Sequence, residues 1–426
     1  MEIYRIRRTV FGFVAGIFLA TMMLVPSMAR ADATHAISLA EAISRALKFA
    51  PTIDSATAGS DLGLANLMQA RAPLYPSIDA GALYYQAPGY SRTVTNGGQT
   101  DAMLTLNYTA YDFGRRMAIA RAARFAADAS TLGLNAAQNR VVFDTTVAYF
   151  DLLRSRRAVN QLRASFERLG RYVAVIEQLE RSGQSITNDV LRIRSERDLA
   201  ELQLATGEQA SRRAAIVLGS LIGDFDPDTV DIEDIVSLPG LPSGDLARNP
   251  ILLADRRNIE AAKLSIKAAQ AERLPNLGMQ LTAGYLGINP PHTFNSNLGA
   301  SYAGSVAVPV FDGGLIRSHI DAARARKMAA MAQFRQDELV LTQRLADAKL
   351  RYREAEHQFD ILGRAQPTAN DSFSLDWTRF LGGGTVTLLE VLDAFRQAET
   401  FRLQRIDQEF ALRQAAADAT YILGLK

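Results

Sequence analysis

Leu277, Met279, Leu281, Ala283 and Tyr285 alternate with Asn276, Gly278, Gln280, Thr282 and Gly284. Alternation of this kind predicts a strand with one apolar and one polar face. Leu104, Leu106, Tyr108 and Ala110 oppose Thr105, Asn107 and Thr109 in the same way, and Val306, Val308 and Val310 continue the pattern. Between these runs lie Thr95-Asn96-Gly97-Gly98 and Asn289-Pro290-Pro291, which read as turns. Two strand pairs are therefore expected, over about 75–111 and about 276–311.

After each pair the period changes. Leu162, Phe166, Leu169, Val173 and Ile176 recur at spacings of four and three. Leu341, Leu345, Ala348, Tyr352, Ala355, Phe359 and Leu362 continue this for longer, and Leu388, Val391, Phe395 and Ala398 repeat it. These are heptad seams for coiled-coil packing. The spacing predicts outgoing arms over about 113–181 and 313–381, and return arms over about 188–223 and 386–424. An arm of that length is about 100 Å of helix. Arg181-Ser182-Gly183-Gln184-Ser185 and Leu381-Gly382-Gly383-Gly384-Thr385 separate the arms. Glycine ends a helix by accepting left-handed geometry, and Ser185, Thr187 and Thr385 are candidate caps for the return helices.

The unit is written twice. Ala50-Pro51-Thr52-Ile53 matches Asn249-Pro250-Ile251-Leu252, and Tyr75-Pro76-Ser77-Ile78 matches Leu274-Pro275-Asn276-Leu277. Tyr111-Asp112-Phe113-Gly114 matches Phe311-Asp312-Gly313-Gly314, Gly183 to Leu191 matches Gly384 to Leu392, and Leu221-Ile222-Gly223 matches Ile422-Leu423-Gly424. The order is kept while the offset drifts only from 199 to 201. Two structural repeats follow, over 32–223 and 246–426. The acidic, proline-containing stretch 224–245 joins them as an irregular surface connection.

Charge sharpens the strand reading. Although 22% of the chain is charged, residues 275–311 hold no Asp, Glu, Lys or Arg. Residues 73–113 hold only Asp79, Arg92, Asp101 and Asp112. Eight of the 13 tyrosines fall in the two windows: Tyr75, Tyr84, Tyr85, Tyr90, Tyr108, Tyr111, Tyr285 and Tyr302. Ordinary hairpins on a soluble core explain the alternation but not a charge-free window that includes its loop. Apolar outside, small and polar inside, with tyrosines near strand ends, is the pattern of a membrane β-barrel. Four strands cannot close such a barrel, so the chain must share it with copies of itself.

At the N-terminus, Arg5, Arg7 and Arg8 precede an uncharged run from Val10 to Val25, then Pro26 and Ala29-Arg30-Ala31. This predicts a secretory signal peptide over residues 1–31. No later run has the length of a membrane-spanning helix.

Composition removes most chemistry. There is no cysteine, so disulfides and thiolate sites are excluded. The four histidines, His35, His292, His319 and His357, form no i, i+4 metal pair. Walker and Gly-x-Ser-x-Gly motifs are absent. A net charge of +2 argues against a nucleic-acid partner. No cofactor or catalytic residue is expected. Arg154-Ser155-Arg156-Arg157 reads as a solvated face of its arm rather than a phosphate site.

These landmarks, together with Leu-x-Pro-x-Leu before a strand and Val310-Phe311-Asp312-Gly313-Gly314 after one, resemble the TolC-like outer-membrane efflux and secretion channels. The tip segment Gly384-Thr385 to Glu390-Val391-Leu392-Asp393 resembles them as well. The resemblance spans nearly the whole chain after the signal peptide. It implies a mainly α protein with a membrane β part: a homotrimer in which long helical hairpins form an α-barrel under a shared 12-stranded β-barrel. It implies a periplasmic adaptor docking at Gly183, Gln184, Ser185, Gly383, Gly384 and Thr385. It implies an inner-membrane pump or ABC transporter as the energy source, and outer-membrane lipid around the sheet. By position it places Asp189, Glu390 and Asp393 at a narrow, cation-favouring tunnel entrance, although these acids also suit the N-terminal turns of their helices. The basic gate residue of some members is Val386 here, and Phe380 lies one position from their tip aromatic. Any equatorial belt rests mainly on residues 224–245.

The expected function is a passive exit duct for tripartite efflux or type I secretion, in the outer membrane with its tunnel in the periplasm. The alternative is a periplasmic coiled-coil adaptor or scaffold, which does not predict the charge-free strands.

Overall fold

The computed structural model describes residues 36–91, 93, 98–287 and 298–425. The expected signal peptide, residues 1–31, and residues 94–97 and 288–297 lie outside the described residues. Two short helices open the chain, α1 (Leu39–Phe49) and α2 (Pro51–Arg71). Strands β1 (Ser77–Gln86) and β2 (Gly98–Tyr111) follow, then α3 (Arg115–Arg181) and α4 (Thr187–Ile222). The second half repeats the order with α5 (Pro250–Ala271), β3 (Asn276–Gly287), β4 (Leu298–Ala307), α6 (Leu315–Leu381) and α7 (Leu388–Ile422). No described helix is long and apolar enough to cross a membrane.

The four strands form one antiparallel sheet in the order β1-β2-β3-β4. Register aligns the faces across all of them. Ile78 pairs with Leu106, Leu106 with Leu281, and Leu281 with Tyr302, so one face is apolar from edge to edge. The other face carries a polar row in which Gln280 donates to Asn107 at 3.2 Å and Asn107 donates to Asp79 at 3.2 Å. A bulge between Thr109 and Tyr111 sets Tyr111, not Ala110, opposite Leu277. A bulge adds one residue to one strand and so resets which side chains share a face. Val308 and Val310 do not extend β4, which ends at Ala307. Pro309 has no N–H to give a ladder, and the chain turns away there.

Each long helix starts from an aspartate. Asp112 accepts from the N–H of Gly114 at 3.2 Å and of Arg116 at 2.8 Å. Asp312 accepts from Gly314 at 2.9 Å and Ile316 at 2.7 Å. Gly114 and Gly314 have φ of 84° and 90°, which a side chain strains to adopt. Strand, Asp and Gly thus turn the chain from sheet into a 67-residue helix, twice. The bonds from Ile316 and Gly314 hold the Asp312 carboxyl below the usual range. For Asp112, burial pushes the pKa up but the bonds from Arg116 outweigh it, so the net direction is also down.

Helices α2 and α4 both pack along α3, and α5 and α7 both pack along α6. The short helices meet end to end. At the second junction Asn249, 2% exposed, serves both ends: its Oδ1 accepts from Ile251 N at 2.8 Å, opening α5, and its Nδ2 donates to the Ile422 carbonyl at 2.8 Å, closing α7. Aligning the carbonyl end of one helix with the N–H end of the next is also favourable for their dipoles. The heptad positions Leu169, Val173, Ile176, Leu341, Ala348, Tyr352, Ala355, Leu388, Val391 and Phe395 are all buried.

Arg156 and Arg157 do not form a solvated face. They hold the connecting segment against the helices. Arg156 donates to Asp231 at 2.6 Å and to the Val230 carbonyl, and Arg157 donates to Asp234, to the Ile235 carbonyl and to Glu409. Arg413, 1% exposed, donates to the carbonyls of Ser237 at 3.0 Å and Ile235 at 2.7 Å and to Glu409 at 2.8 Å. Its guanidinium also lies over the rings of Phe150 and Phe410. Tyr149 shares its hydroxyl proton between the carbonyls of Ile37 and Glu233, and burial pushes its pKa up to about 12. Tyr352 donates to the Pro239 carbonyl at 3.0 Å. The segment is thus strapped across α3, α7 and α6, and a short parallel bridge joins Ile37 to Ile232.

Between α5 and α6 two carboxyls face each other. Burial and the neighbouring Asp337 push the Asp255 pKa up to about 6, and Asp255 Oδ2 has no hydrogen-bond partner.

Two outcomes follow from this packing. Arg413→Met should lower unfolding stability by about 3 kcal/mol, because buried carbonyls and half of the Glu409 pairing lose their donor. Thermal unfolding of the detergent-solubilised protein measures it, and an unchanged midpoint contradicts the strap. A carboxyl with a raised folded-state pKa contributes stability that is complete below its ordinary value and lost as pH rises through about 6. Asp255→Asn should therefore raise the unfolding midpoint at pH 8 and give little difference at pH 4.

Candidate functional site: the hairpin tips

The two helix-to-helix turns have one geometry. In the first, Gly183 has φ 74° and the N–H of Gln184 reaches back to the Leu179 carbonyl at 2.8 Å. In the second, Gly383 has φ 71° and the N–H of Gly384 reaches the Arg379 carbonyl at 2.9 Å. This is a helix stop in which a left-handed residue lets the last carbonyls find donors. Gly183, Gln184, Gly383, Gly384 and Thr385 are exposed and Ser185 is half-buried.

The return helices start differently. Thr387, not Thr385, caps α7: its hydroxyl accepts from Glu390 N at 3.4 Å, while the Glu390 carboxylate accepts from Thr387 N at 2.7 Å. No side chain caps α4, whose preceding residue is Ile186. Ser185 instead donates to the Asp189 carboxylate at 3.2 Å.

The three acids therefore differ. Glu390 is exposed and engaged in its own capping box, and the bond from the Thr387 N–H holds its pKa below the usual range. Asp189 is half-buried in the first turn of α4. Asp393 is exposed one turn after Glu390, and its charge helps raise the Arg396 pKa after the bond from Glu196, which is the larger cause. Asp189 stands on α4, and Glu390 and Asp393 stand on α7.

Behind the turns sits an aromatic core of which the heptad pattern singled out only Phe395. Tyr172 on α3 lies 4.2 Å from the ring of Trp377 and 5.8 Å from that of Phe373, both on α6. Phe373 meets Phe395 on α7 at 5.4 Å, and Trp377 stacks on Phe380 at 6.2 Å. Val386 packs against this core. Above it, Glu399 is 9% exposed and accepts from Gln161 at 2.7 Å, from Arg168 at 2.8 Å and from Arg402, which in turn donates to Asn370. Arg396 of α7 grips Glu196 of α4 through two nitrogens at 3.0 and 2.8 Å. The repeat offset here is 201, which aligns Glu196 with Gln397, so the pair joins neighbouring rather than equivalent positions of the two repeats. Among the described residues no cluster of His, Asp or Glu is arranged to hold a metal.

A sheet with an apolar face, set on helical hairpins of about 100 Å, defines a barrel-and-tunnel protein. A family model described as outer membrane efflux protein matches residues 42–224 and 241–425. The chain belongs to that family. The outer membrane protein TolC of Escherichia coli is 23% identical over 380 residues, covering 85% of this chain and 76% of TolC. The pyoverdine export outer membrane protein OpmQ of Pseudomonas aeruginosa is 24% identical over 409 residues, covering 90% of this chain and 84% of OpmQ. Among solved structures, the outer membrane protein VceC of Vibrio cholerae superimposes with a TM-score of 0.81 at 21% identity, covering 91% of this chain and 96% of VceC. A membrane protein from Pseudomonas aeruginosa gives 0.83 at 21% identity, covering 92% of this chain and 94% of the other. The chain is an outer-membrane exit duct whose helices form a tunnel in the periplasm, and the periplasmic scaffold reading is set aside. The family is one of passive channels rather than enzymes, whose members work as homotrimers with periplasmic adaptors and inner-membrane pumps.

The aromatic core gives a direct readout, since Trp377 is the only tryptophan. Tyr172→Ala should red-shift Trp377 emission and cost about 2 kcal/mol, below the value for a fully buried aromatic. Unshifted emission would show that the first hairpin does not shield Trp377.

Proposed function

We propose that three copies of this chain close one 12-stranded barrel and one helical tunnel, and that cargo passes through without chemistry or cofactor. The observation that carries this is the sheet itself. Strands β1 and β4 each have an unpaired edge, and one face is apolar across all four strands. The unpaired edges are costly in hydrocarbon and the apolar face is costly in water, so a lone chain suits neither phase.

In this reading residues 1–31 are a signal peptide removed on export. Residues 32–223 and 246–426 are the two repeats, and 224–245 is the equatorial strap. Gly183, Gln184, Ser185, Gly383, Gly384 and Thr385 meet a periplasmic adaptor, which links the duct to an inner-membrane pump or ABC transporter. The exposed turns and their matched geometry support a docking surface repeated around the tunnel mouth. Asp189, Glu390 and Asp393 ring the entrance. Of these Asp393 has the most exposed role, since Glu390 is engaged in its cap.

Two measurements test the reading. The chain has no cysteine, so Gln184→Cys and Thr385→Cys each give one reactive site. Cross-linking in intact cells should join these positions to a periplasmic protein, and Cys at an exposed site near the sheet end of α6 such as Arg326 should not. In planar bilayers, Asp189→Lys with Asp393→Lys should abolish or reverse the cation preference of the channel. An unchanged preference removes the acid ring and leaves the duct.

A further inference from the structure

We propose that the helix-side end of the sheet binds an anionic glycerophospholipid, with an acyl chain in an apolar groove and the phosphate on exposed basic side chains. This rests on the outer-membrane reading above and names the lipid that the site takes.

Two independent observations meet at that end. The first is a groove of about 540 Å3 lined by Leu74, Leu106, Tyr108, Met279, Leu281 and Tyr302 among others. The register puts Leu106, Tyr108, Met279, Leu281 and Tyr302 on the one apolar face of the sheet. An apolar hollow continuous with that face suits a hydrocarbon chain.

The second is charge. The ten residues flanking each strand at this end, 67–76, 112–121, 266–275 and 308–317, hold seven Arg or Lys and three Asp or Glu. The opposite loops, 87–97 and 288–297, hold only Arg92. The three acids are already engaged. Asp112 and Asp312 cap their helices, and Glu272 binds Arg115 at 3.0 Å and His319 at 2.8 Å. Arg116 is paired with Asp112. Arg71, Arg121, Lys267, Arg273 and Arg317 remain, all exposed, and their side chains make no hydrogen bond or ion pair among the described residues. Arg273 also helps hold the Asp312 carboxyl down, as the smallest of its causes, and the surplus at this end remains positive.

Groove and charge are joined by the chain. Arg116 sits over the Tyr108 ring at 5.8 Å and donates to the Pro73 carbonyl at 2.7 Å, which fixes the end of the groove. Arg71 lies two residues before Pro73 and three before the groove-lining Leu74. A phosphate held there sits at the polar boundary while its acyl chain runs along the sheet. A zwitterionic headgroup offers the same hydrocarbon but no net charge to match the surplus.

The test uses the protein extracted from outer membranes and placed in nanodiscs of equimolar dioleoyl phosphatidylglycerol and phosphatidylethanolamine. Native mass spectrometry counts the lipids retained. Phosphatidylglycerol should be retained preferentially, and R71Q/R273Q should lower that preference about five-fold for each charge removed. R71K/R273K should restore it. Glycerol phosphate should not displace the lipid, and dihexanoyl phosphatidylglycerol should be retained less than the dioleoyl form. Equal retention of the two lipids, a preference indifferent to R71Q/R273Q, or displacement by glycerol phosphate overturns the proposal and leaves the duct standing. Absence of the protein from the outer membrane overturns both.

Discussion

Unpaired backbone at the edges of β1 and β4 is the constraint on which the rest of the molecule depends. A backbone N–H or C=O with no partner is costly anywhere in a protein interior and worse in hydrocarbon. Closure by symmetry copies removes both edges at once. It also fixes what lies below, because each chain's four strands then stand on its two hairpins and the hairpins inherit the same symmetry. The Asp-Gly turns after β2 and β4 transmit this geometry, sending the chain from strand directly into the first turn of α3 and α6.

The helical part resolves a different problem. A 67-residue helix needs a partner along its whole length, yet the chain must leave it to enter the sheet and the connecting segment. Two short helices laid end to end supply that partner, and Asn249 splices one pair by satisfying both termini. At the level of these junctions the segment 224–245 crosses α3, α7 and α6, held by Arg156, Arg157, Arg413, Tyr149 and Tyr352. Most of its bonds run from side chains to backbone carbonyls, so a stretch with little regular structure keeps a fixed path. Toward the tips, Glu399 with its arginines and then the aromatic core tie the second hairpin to the first.

Local periodicity carried far in the sequence. Leu277 to Tyr285 alternate and form a strand, and Leu388 to Ala398 run at heptad spacing and are buried. The duplication revealed Asp112 and Asp312 as landmarks, although only geometry shows that they cap the long helices. The misreadings share one cause: a pattern along a chain does not say what crosses it. Arg156 and Arg157 look solvated on a helical arm until a distant acidic segment lies over them. Val308 and Val310 keep the alternation, but Pro309 between them breaks the ladder. Thr385 has the right side chain for a cap, two residues before Thr387, which has the right place. The pore role proposed for Asp189 and Asp393 rests on family resemblance alone, because a ring of like charges would arise between chains and leave no trace in one.

Barrel, tunnel and tip ring all depend on the number of chains that share the sheet. The native mass of the protein after detergent extraction from purified outer membranes is the most direct measurement of it. The account predicts a trimer, found only in the detergent-extracted membrane fraction. A monomer or dimer released without detergent would contradict it, because the two sheet edges would then be tolerated in water and no shared barrel would exist.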